Sequence, residues 1–407
     1  MQTILIIGGG FAGLDAALSA ARRRELEGRG ADDLRIVMVA PEPKLVIRPR
    51  LYEPNPETMA APFDAVLDTV GVEFVAGKAT AIDAIGRKVT VETPGGERSM
   101  SYDRLVVATG SQLFRPPVPG LTEFGFSVDQ IDDAVALDRH IHALADRPDT
   151  PARATVVVAG GGFTGIEAAT EMPPRLRKIL GDNAAVRVVI VERADTIAPD
   201  MGANAQPYIC AALADVGVET RAGVGVAEID AGGVTLSDGQ RIEAQTVIWS
   251  AGMRAAPFAG QVPGEFDNSG RAIVDEFLRA PSAPGIFVTG DAAKAASDTL
   301  GNYSLMSCQH AKRLGAFAGN NAAAELLGAS LEPYHQRAYV TCLDLGPAGA
   351  LLTQGWEREV QMTGPEAKAM KQEINTVWIY PPQPDRDAIF AYAEPAKVVD
   401  LEQPPAS

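Results

Sequence analysis

The chain of 407 residues has few of the residue types that build metal centres. It contains only three cysteines, Cys210, Cys308 and Cys342, and none of them belongs to a Cys-x-x-Cys pair. The four histidines form no ligand pattern with these cysteines, and the spacing of His140 and His142 is more typical of a surface helix. We therefore expect no structural metal.

Positive charge and long apolar runs are also scarce. The chain has 36 Lys and Arg against 52 Asp and Glu, a net charge of -16, and no long basic run. Since phosphates and anionic membranes are bound by clustered Lys and Arg, we expect neither a nucleic-acid partner nor constitutive membrane attachment. No stretch of about 18 apolar residues could span a bilayer. A strand pattern begins at Thr3 and leaves no room for a signal peptide, so a cytoplasmic location is the default expectation.

A strand–glycine–helix unit occurs twice. Residues 8–13 read GGGFAG and residues 160–165 read GGGFTG, and each follows a short β-branched strand and opens a helical pattern. The first glycine of such a motif permits a tight turn, the second lets the backbone approach a pyrophosphate, and the third lets the helix pack closely. One copy can be an ordinary glycine-rich turn. Two copies in matching contexts predict two dinucleotide sites.

The strand that follows each unit ends differently. In the second unit it ends at Glu192, whose carboxylate can bond both ribose hydroxyls and favours NADH over NADPH. Arg193 follows and could instead accommodate a 2′-phosphate. In the first unit the strand ends at Ala40-Pro41, where the usual acid is missing. Either Glu42 or backbone contacts would then hold the adenosine ribose.

Three later strands end in small residues, which lets backbone pass close to a bound nucleotide. They end at Thr109-Gly110, at Ala251-Gly252 and at Gly290-Asp291-Ala292. The Asp291 carboxylate can accept a hydrogen bond from a hydroxyl of a polyol chain. We also expect Asp291 to open a helix whose N-terminus faces a phosphate.

The order of these elements resembles the flavoproteins with two dinucleotide-binding domains, which have the glutathione reductase fold. In that family the first glycine motif binds FAD, the second binds NAD(P)H, and the Thr-Gly-Asp motif returns the chain to FAD. The resemblance covers roughly residues 1–330. It implies an α/β fold with two Rossmann-like domains, the NADH domain inserted in the FAD domain, plus a small C-terminal α+β unit. The boundaries expected are 1–115 and 271–330 for FAD, 116–270 for NAD(P)H and 331–407 for the C-terminal region.

Three segments are most similar to the type II NADH:quinone oxidoreductases. Residues 45–53, LVIRPRLYE, resemble a loop in which Pro49 would lie beside the isoalloxazine ring. Residues 162–167, GFTGIE, match the second glycine motif, and the resemblance places Glu167 near the flavin and the nicotinamide. Residues 339–346, YVTCLDLG, look like a Cys-x-Ser-Leu-Gly strand with Asp344 in place of serine.

Departures from the family pattern concern the electron acceptor. The redox cysteine pair of the disulfide reductases is missing. We therefore do not expect thiol–disulfide chemistry. Gln309 matches the first glutamine of the quinone-pocket helix, but Arg313 stands where the second would be. A cation there changes what can approach the ring, so the resemblance leaves the acceptor open.

Two expectations concern helices. The pair Pro173-Pro174 predicts a helix break at Met172 with a restart at Arg175, because proline removes a backbone donor. Residues 365–379 predict an amphipathic helix with Met370, Ile374 and Trp378 on one face, for core packing, a dimer contact or peripheral membrane contact. The tail 389–407 is predicted to be a disordered end, or a strand with an extension.

Together the motifs and the resemblance nominate catalytic and cofactor-binding residues. The catalytic candidates are Glu167, Gln309 and Pro49. The candidates for the FAD site are Gly8, Gly10, Phe11, Ala12, Gly13, Ala40, Pro41, Arg48, Ala79, Thr109, Gly110, Gly290, Asp291, Ala292 and Gln309. The candidates for the NADH site are Gly160, Gly162, Phe163, Thr164, Gly165, Glu192, Arg193, Ala251 and Gly252.

The expected activity is hydride transfer from NADH to FAD, followed by electron transfer to a quinone or another small acceptor. A sulfide:quinone oxidoreductase would need two cysteines beside the flavin, and only Cys342 suits one of them. A reductase of a small redox protein would need a basic patch, for which Arg48 and Arg50 are weak candidates. An oxidoreductase for a pathway metabolite and a redox sensor that holds FAD and NADH with little turnover also remain open, as does a homodimer.

Overall fold

A computed structural model of the chain describes residues 1–336 and 339–397, and two five-stranded parallel sheets form its framework. In spatial order, the first sheet contains Ile286–Val288, Arg104–Val107, Gln2–Ile7, Leu34–Ala40 and Glu73–Ala76. The second contains Gly125–Phe126, Thr246–Trp249, Thr155–Ala159, Arg187–Val191 and Val218–Arg221. All neighbouring strands in both sheets run parallel. The central strands are continuous apolar runs because both of their faces are covered.

Helices cover both sheets. In the described chain they are α1 (Phe11–Leu26), α2 (Asp64–Thr69), α3 (Leu121–Phe124), α4 (Ile131–Ala143), α5 (Phe163–Leu180), α6 (Gly202–Asp215), α7 (Cys308–Leu327), α8 (Gly364–Glu373) and α9 (Arg386–Tyr392).

The strand order shows that the second unit is inserted in the first. Ile286–Val288 follows the whole second sheet in sequence, yet it pairs with Arg104–Val107 at the edge of the first sheet. The chain leaves the first unit through Ser111–Leu113 and returns through Met253–Ala255, and these two segments pair antiparallel. The predicted α/β fold with an inserted unit is confirmed, while the residue boundaries of the domains stay a prediction.

The described residues form three antiparallel sheets of three strands each. One belongs to the first unit, one to the second unit and one to the C-terminal region. They are Lys78–Asp83 with Lys88–Thr93 and Gly96–Ser101, Val226–Asp230 with Gly233–Leu236 and Arg241–Glu243, and Val340–Asp344 with Ala350–Gln354 and Glu359–Thr363. Two-stranded pairs join Lys44–Val46 to Ala60–Pro62 and Ala272–Ile273 to Ala293–Lys294. In the C-terminal unit α8 packs on its sheet through Ala367, with Met370 and Ile374 beside the same core.

Close backbone contact between α1 and α7 brings the start of α7 beside the first glycine motif. A Cβ atom added at Gly315 would lie 2.2 Å from the Ala12 carbonyl oxygen, and one added at Gly319 would lie 1.9 Å from that of Ala16. Only glycine allows this approach. The two helices, far apart in sequence, therefore pack against the same face of the first sheet.

The predicted break in α5 is wrong. The helix runs from Phe163 to Leu180 through both Pro173 and Pro174. Met172 and Leu176 are fully buried in the core of the second unit, and this packing outweighs the backbone hydrogen bonds that the prolines remove. Tertiary contacts have overridden a local signal.

The helix predicted after Asp291 is also wrong. Gly290–Ala292 is one 3₁₀ turn, and Ala293–Lys294 then pairs with Ala272–Ile273 as a strand. The α-helix begins only at Cys308, after its N-cap Ser307. The strand pairing uses the backbone groups that a helix would have needed.

The C-terminal helices correct one expectation and confirm another. α8 and the π-helical turn Ile374–Trp378 confirm a helix over 365–379. The tail prediction is wrong for residues 389–392, which belong to α9 (Arg386–Tyr392), where Ile389 is completely buried. Residues 398–407 of the predicted tail lie outside the described residues.

Candidate active site

The two glycine turns have the same geometry. Gly8 has φ +119° and Gly160 has φ +116°, values that side chains rarely adopt. A Cβ atom added at Gly8 would lie 2.3 Å from the Ala108 carbonyl oxygen, and one added at Gly160 would lie 2.8 Å from the Ser250 hydroxyl. The first glycine of each motif is therefore required by the turn itself.

The third glycine of each motif seats the helix on the turn. A Cβ atom at Gly13 would lie 1.9 Å from the Gly8 carbonyl oxygen, and one at Gly165 would lie 1.9 Å from that of Gly160. The helices α1 and α5 consequently start directly against their strands, as the motif requires.

The middle glycines, Gly10 and Gly162, face open space. A Cβ atom added at either would meet nothing within 4 Å, and neither helix N-terminus is capped by a side chain. No acidic residue lies in the first turn of α1 or α5. Free N–H groups at the positive end of a helix dipole bind a diphosphate, so both turns fit a dinucleotide.

Ala40 and Glu192 occupy equivalent positions beside the two turns. A Cβ atom at Gly9 would lie 2.8 Å from the Ala40 Cβ, and one at Gly161 would lie 3.0 Å from the Glu192 Cβ. The Glu192 carboxylate accepts hydrogen bonds of 2.7 Å from the Gly161 and Ala194 N–H groups. Its orientation beside the second turn is thus fixed by the protein backbone.

Most other residues that the sequence nominates near the two turns are exposed. Glu42, the alternative acid of the first unit, is exposed and pairs with Lys44 at 2.6 Å. Arg193 and Thr164 are exposed. Ala79 packs beside the core of the first sheet.

Asp291 is half-buried and follows Gly290, which contacts the first glycine motif at Ala12 and the start of α7 at Ala311. Its Oδ2 accepts a hydrogen bond of 2.6 Å from the Ser111 hydroxyl and lies 3.8 Å from an Arg48 nitrogen. Burial raises the pKa of Asp291. Among the described residues, its Oδ1 and the Thr109 hydroxyl are buried without a partner. These unsatisfied oxygens fit the hydroxyls of a polyol chain such as that of FAD.

Arg48 ties the segment around Pro49 to the second unit. Its guanidinium forms an ion pair with Asp129, donates to the Asp129 carbonyl oxygen at 3.1 Å and reaches the Ser111 hydroxyl at 3.3 Å. Asp129 Oδ2 in turn accepts from the Leu113 N–H at 3.0 Å. Pro49 lies in the 3₁₀ turn Arg48–Arg50, which these contacts hold between the two units.

Glu167 lies in the first turns of α5 and is only 4% exposed. It accepts a hydrogen bond of 2.8 Å from the Lys371 ammonium and one of 3.1 Å from the Asp344 N–H. Burial raises the pKa of Glu167 to about 7, although Lys371 opposes this shift. A carboxyl group that titrates near neutral pH therefore stands between the second glycine motif and the C-terminal unit.

Sequence reasoning did not find the lysines of this cluster. Lys368 binds the Asp344 carboxylate at 2.5 and 2.7 Å, and Tyr52 donates to the same carboxylate at 3.1 Å. Lys368 and Lys371 are three residues apart and share a face of α8. The replacement of serine by Asp344 was the available signal, because a buried aspartate needs a cation nearby.

The start of α7 contacts the C-terminal region at two points. Gln309 Oε1 accepts from the Val340 N–H at 3.3 Å, and Arg313 donates to the Lys397 carbonyl oxygen. Arg313, which stands at the second glutamine position of the resemblance, is therefore engaged by the segment after α9. The structure brings the catalytic candidates Glu167 and Gln309 to opposite ends of the strand Val340–Asp344, which both of them contact.

The two units each contain a strand–glycine–helix turn that fits a dinucleotide. Residues 2–315 match the pyridine nucleotide-disulphide oxidoreductase family, and the chain belongs to that family. The predicted class, an NAD(P)H oxidoreductase that uses FAD, is thereby confirmed.

Known proteins agree with this class. The chain is 47% identical over 384 residues to an NADH dehydrogenase-like protein of Mycobacterium tuberculosis, covering 94% of this chain and 95% of the relative. It is 30% identical to the type II NADH:quinone oxidoreductase Ndh of the same species, covering 80% and 73% of the two chains. The structure of NDH2 from Plasmodium falciparum in complex with NADH has the same fold, with a TM-score of 0.77, 13% identity and 96% and 97% coverage.

The described residues contain no helix long and apolar enough to cross a membrane. They also contain no cluster of His, Cys, Asp and Glu that could hold a metal ion.

Proposed function

We propose that this protein is an NADH dehydrogenase that reduces FAD with NADH and passes the electrons to a quinone or a similar small acceptor. The observation that carries this proposal is Glu167, a buried carboxyl group that links the second glycine motif to the C-terminal unit through Lys371 and Asp344. Relatives named as type II NADH:quinone oxidoreductases support the quinone as acceptor.

The residues divide the work between two sites. Bound FAD supplies the two-electron chemistry. The first turn would hold the FAD diphosphate. Asp291 would accept a hydrogen bond from a hydroxyl of the FAD polyol chain. The second turn would hold the NADH diphosphate, with Glu192 bonding the ribose hydroxyls. Glu167, with a pKa of about 7, can hold or release a proton beside the nicotinamide site.

Anaerobic addition of NADH to the purified flavoprotein tests this proposal, with NADPH in a parallel sample. We expect NADH to bleach the flavin band rapidly and a soluble quinone to restore it. Bleaching without reoxidation by quinone would shift the assignment to a protein or metabolite acceptor. Absence of bleaching by either nucleotide would refute the NADH role of the second motif.

Glu192→Ala should relax the preference for NADH. The substitution removes the carboxylate that bonds the ribose, and hydrogen bonds to charged groups contribute about 1.5–3 kcal/mol. We therefore expect KM for NADH to rise by about tenfold or more and the ratio of kcat/KM for NADH over NADPH to fall. The control is Glu228→Gln, an exposed acid in the antiparallel sheet of the second unit, which should leave both values unchanged. An unaltered ratio in Glu192→Ala would show that another group reads the ribose.

Gln309→Leu should slow the acceptor half-reaction selectively. The amide lies at the start of α7 and accepts from the Val340 N–H, at the opposite end of the strand Val340–Asp344 from Glu167. We expect reoxidation of the flavin by quinone to slow by about tenfold, the equivalent of ~1.4 kcal/mol, with reduction by NADH unchanged. Stopped-flow measurement separates the two phases. Gln372→Leu, an exposed glutamine on α8, is the matched control, and equal slowing of both phases would contradict a role at the acceptor side.

A further inference from the structure

The internal repeat extends beyond the glycines. Residues 8–17 read GGGFAGLDAA and residues 160–169 read GGGFTGIEAA, so Asp15 in α1 is the counterpart of Glu167 in α5. The two acids are 5% and 4% exposed. Each pairs with a lysine from a distant segment, Asp15 with Lys312 at 3.7 Å and Glu167 with Lys371 at 2.8 Å. The first glycine motif is therefore also followed by a buried acid that pairs with a lysine, although Lys312 is only partly buried.

The Asp15 pair is completed by a tyrosine of the C-terminal helix. The Tyr392 hydroxyl donates to Asp15 Oδ2 at 3.2 Å and is hydrogen-bonded to the Lys312 ammonium, which also lies 4.3 Å from the centre of its ring. We call these three residues the Asp15 cluster. Burial raises the pKa of Asp15 to about 6, an effect that Lys312 opposes, and burial also raises the pKa of Tyr392. At pH 8, above this pKa, the Asp15 carboxyl group is ionised, and its charge is opposite to that of the Lys312 ammonium.

The Asp15 cluster adjoins the predicted FAD cradle. A Cβ atom at Gly290 would lie 2.7 Å from the Ala12 Cβ and 3.8 Å from the Ala311 Cβ, so α1, α7 and the Thr-Gly-Asp turn meet there. Lys312 follows Ala311 directly. Lys312 and Asp291 both act electrostatically on the half-buried Cys308 thiol, and their charges shift its pKa in opposite directions. The small side chains of Ala12 and Ala311 keep the backbones close at this junction.

We propose that Asp15 and Lys312 are positioning residues whose opposed charges set the reduction potential of the bound flavin. This inference rests on the proposed placement of FAD in the first glycine motif. Reduction adds electrons to the flavin and increases its negative charge. A net positive charge at the neighbouring Asp15 cluster therefore favours reduction, and a net negative charge opposes it. Such charges interact strongly where water is excluded.

The sign of each effect follows from the charge removed. Asp15→Asn leaves the Lys312 ammonium uncompensated and should move the midpoint potential of FAD in the positive direction. Lys312→Met leaves the carboxylate uncompensated and should move it in the negative direction. In the double variant neither charge is present, so the midpoint potential should be close to the wild-type value. A double-mutant cycle detects the coupling between the two residues.

A spectroelectrochemical titration of the holoprotein at pH 8 tests this inference. Glu73→Gln, which breaks the exposed pair between Arg35 and Glu73, is the control and should leave the potential unchanged. Tyr392→Phe removes a hydrogen bond without changing charge and should shift the potential less than Asp15→Asn does. If Lys312→Met fails to fold, Asp15→Asn, Tyr392→Phe and the double variant still give the required comparison.

The outcomes distinguish this inference from the proposed function. Shifts of one sign in both single variants, or shifts no larger than that of Glu73→Gln, overturn the inference. If the wild-type protein is reduced by NADH while the variants keep its potential, only the role of the Asp15 cluster fails. If the wild-type protein retains no FAD, the placement of FAD itself fails.

Discussion

Lys371→Met is expected to destabilise the folded protein by about 3–5 kcal/mol at pH 8, because it leaves the Glu167 carboxylate buried without its cation. The ammonium donates to Glu167 and also to the Cys342 carbonyl oxygen at 3.0 Å, so two acceptors lose their partner. Urea unfolding followed by fluorescence measures the change. Lys178→Met, which changes an exposed lysine on α5, is the control, and we expect it to change the free energy of unfolding little.

The loss in Lys371→Met should shrink as the pH falls. The pKa of Glu167 is raised from 4.5 to about 7, so the folded state binds a proton at a pH where the unfolded chain has released it. Stability that depends on this group therefore increases as the pH falls from about 7 toward 4.5. Protonation also removes the unpaired charge in the variant. If the free energy of unfolding of Lys371→Met is lower than that of wild type by the same amount at pH 8 and at pH 5.5, this account is contradicted.

Gly13→Ala and Gly165→Ala should each abolish binding at one site only. In both, the new Cβ atom would lie 1.9 Å from a carbonyl oxygen of the preceding turn, so the helix must move away from its strand. We expect Gly13→Ala to be purified without FAD. We expect Gly165→Ala to retain FAD, with flavin that is no longer bleached by NADH. Flavin absorbance and anaerobic NADH titration measure the two results.

Gly162→Ala separates the packing role of glycine from its role in ligand approach. A Cβ atom there meets nothing in the protein, and the backbone at φ -81° and ψ -172° accepts alanine. The variant should fold with an unchanged Tm and yet bind NADH more weakly, because the methyl group occupies the space that the diphosphate needs. A normal KM for NADH in this variant would place the diphosphate elsewhere.

The amino-acid sequence by itself determined the framework of this protein. Glycine spacing and β-branched strands specify each turn through local sterics, so the roles of Gly8, Gly13, Gly160 and Gly165 follow from the motif alone. The motif order, which resembles a known family, predicted the inserted second unit. Family membership also followed from the sequence.

Only the tertiary structure decided which charges meet. Asp15 and Lys312 are about 300 residues apart in the sequence, as are Tyr52 and Asp344, and no local pattern pairs them. The same holds for α5, where burial of Met172 and Leu176 keeps Pro173 and Pro174 helical, and for Asp291, which a strand pairing leaves on a 3₁₀ turn. Local motifs report the conformations that short-range sterics impose. Long-range packing determines which buried acid finds which lysine, and with it the electrostatics of both cofactor sites.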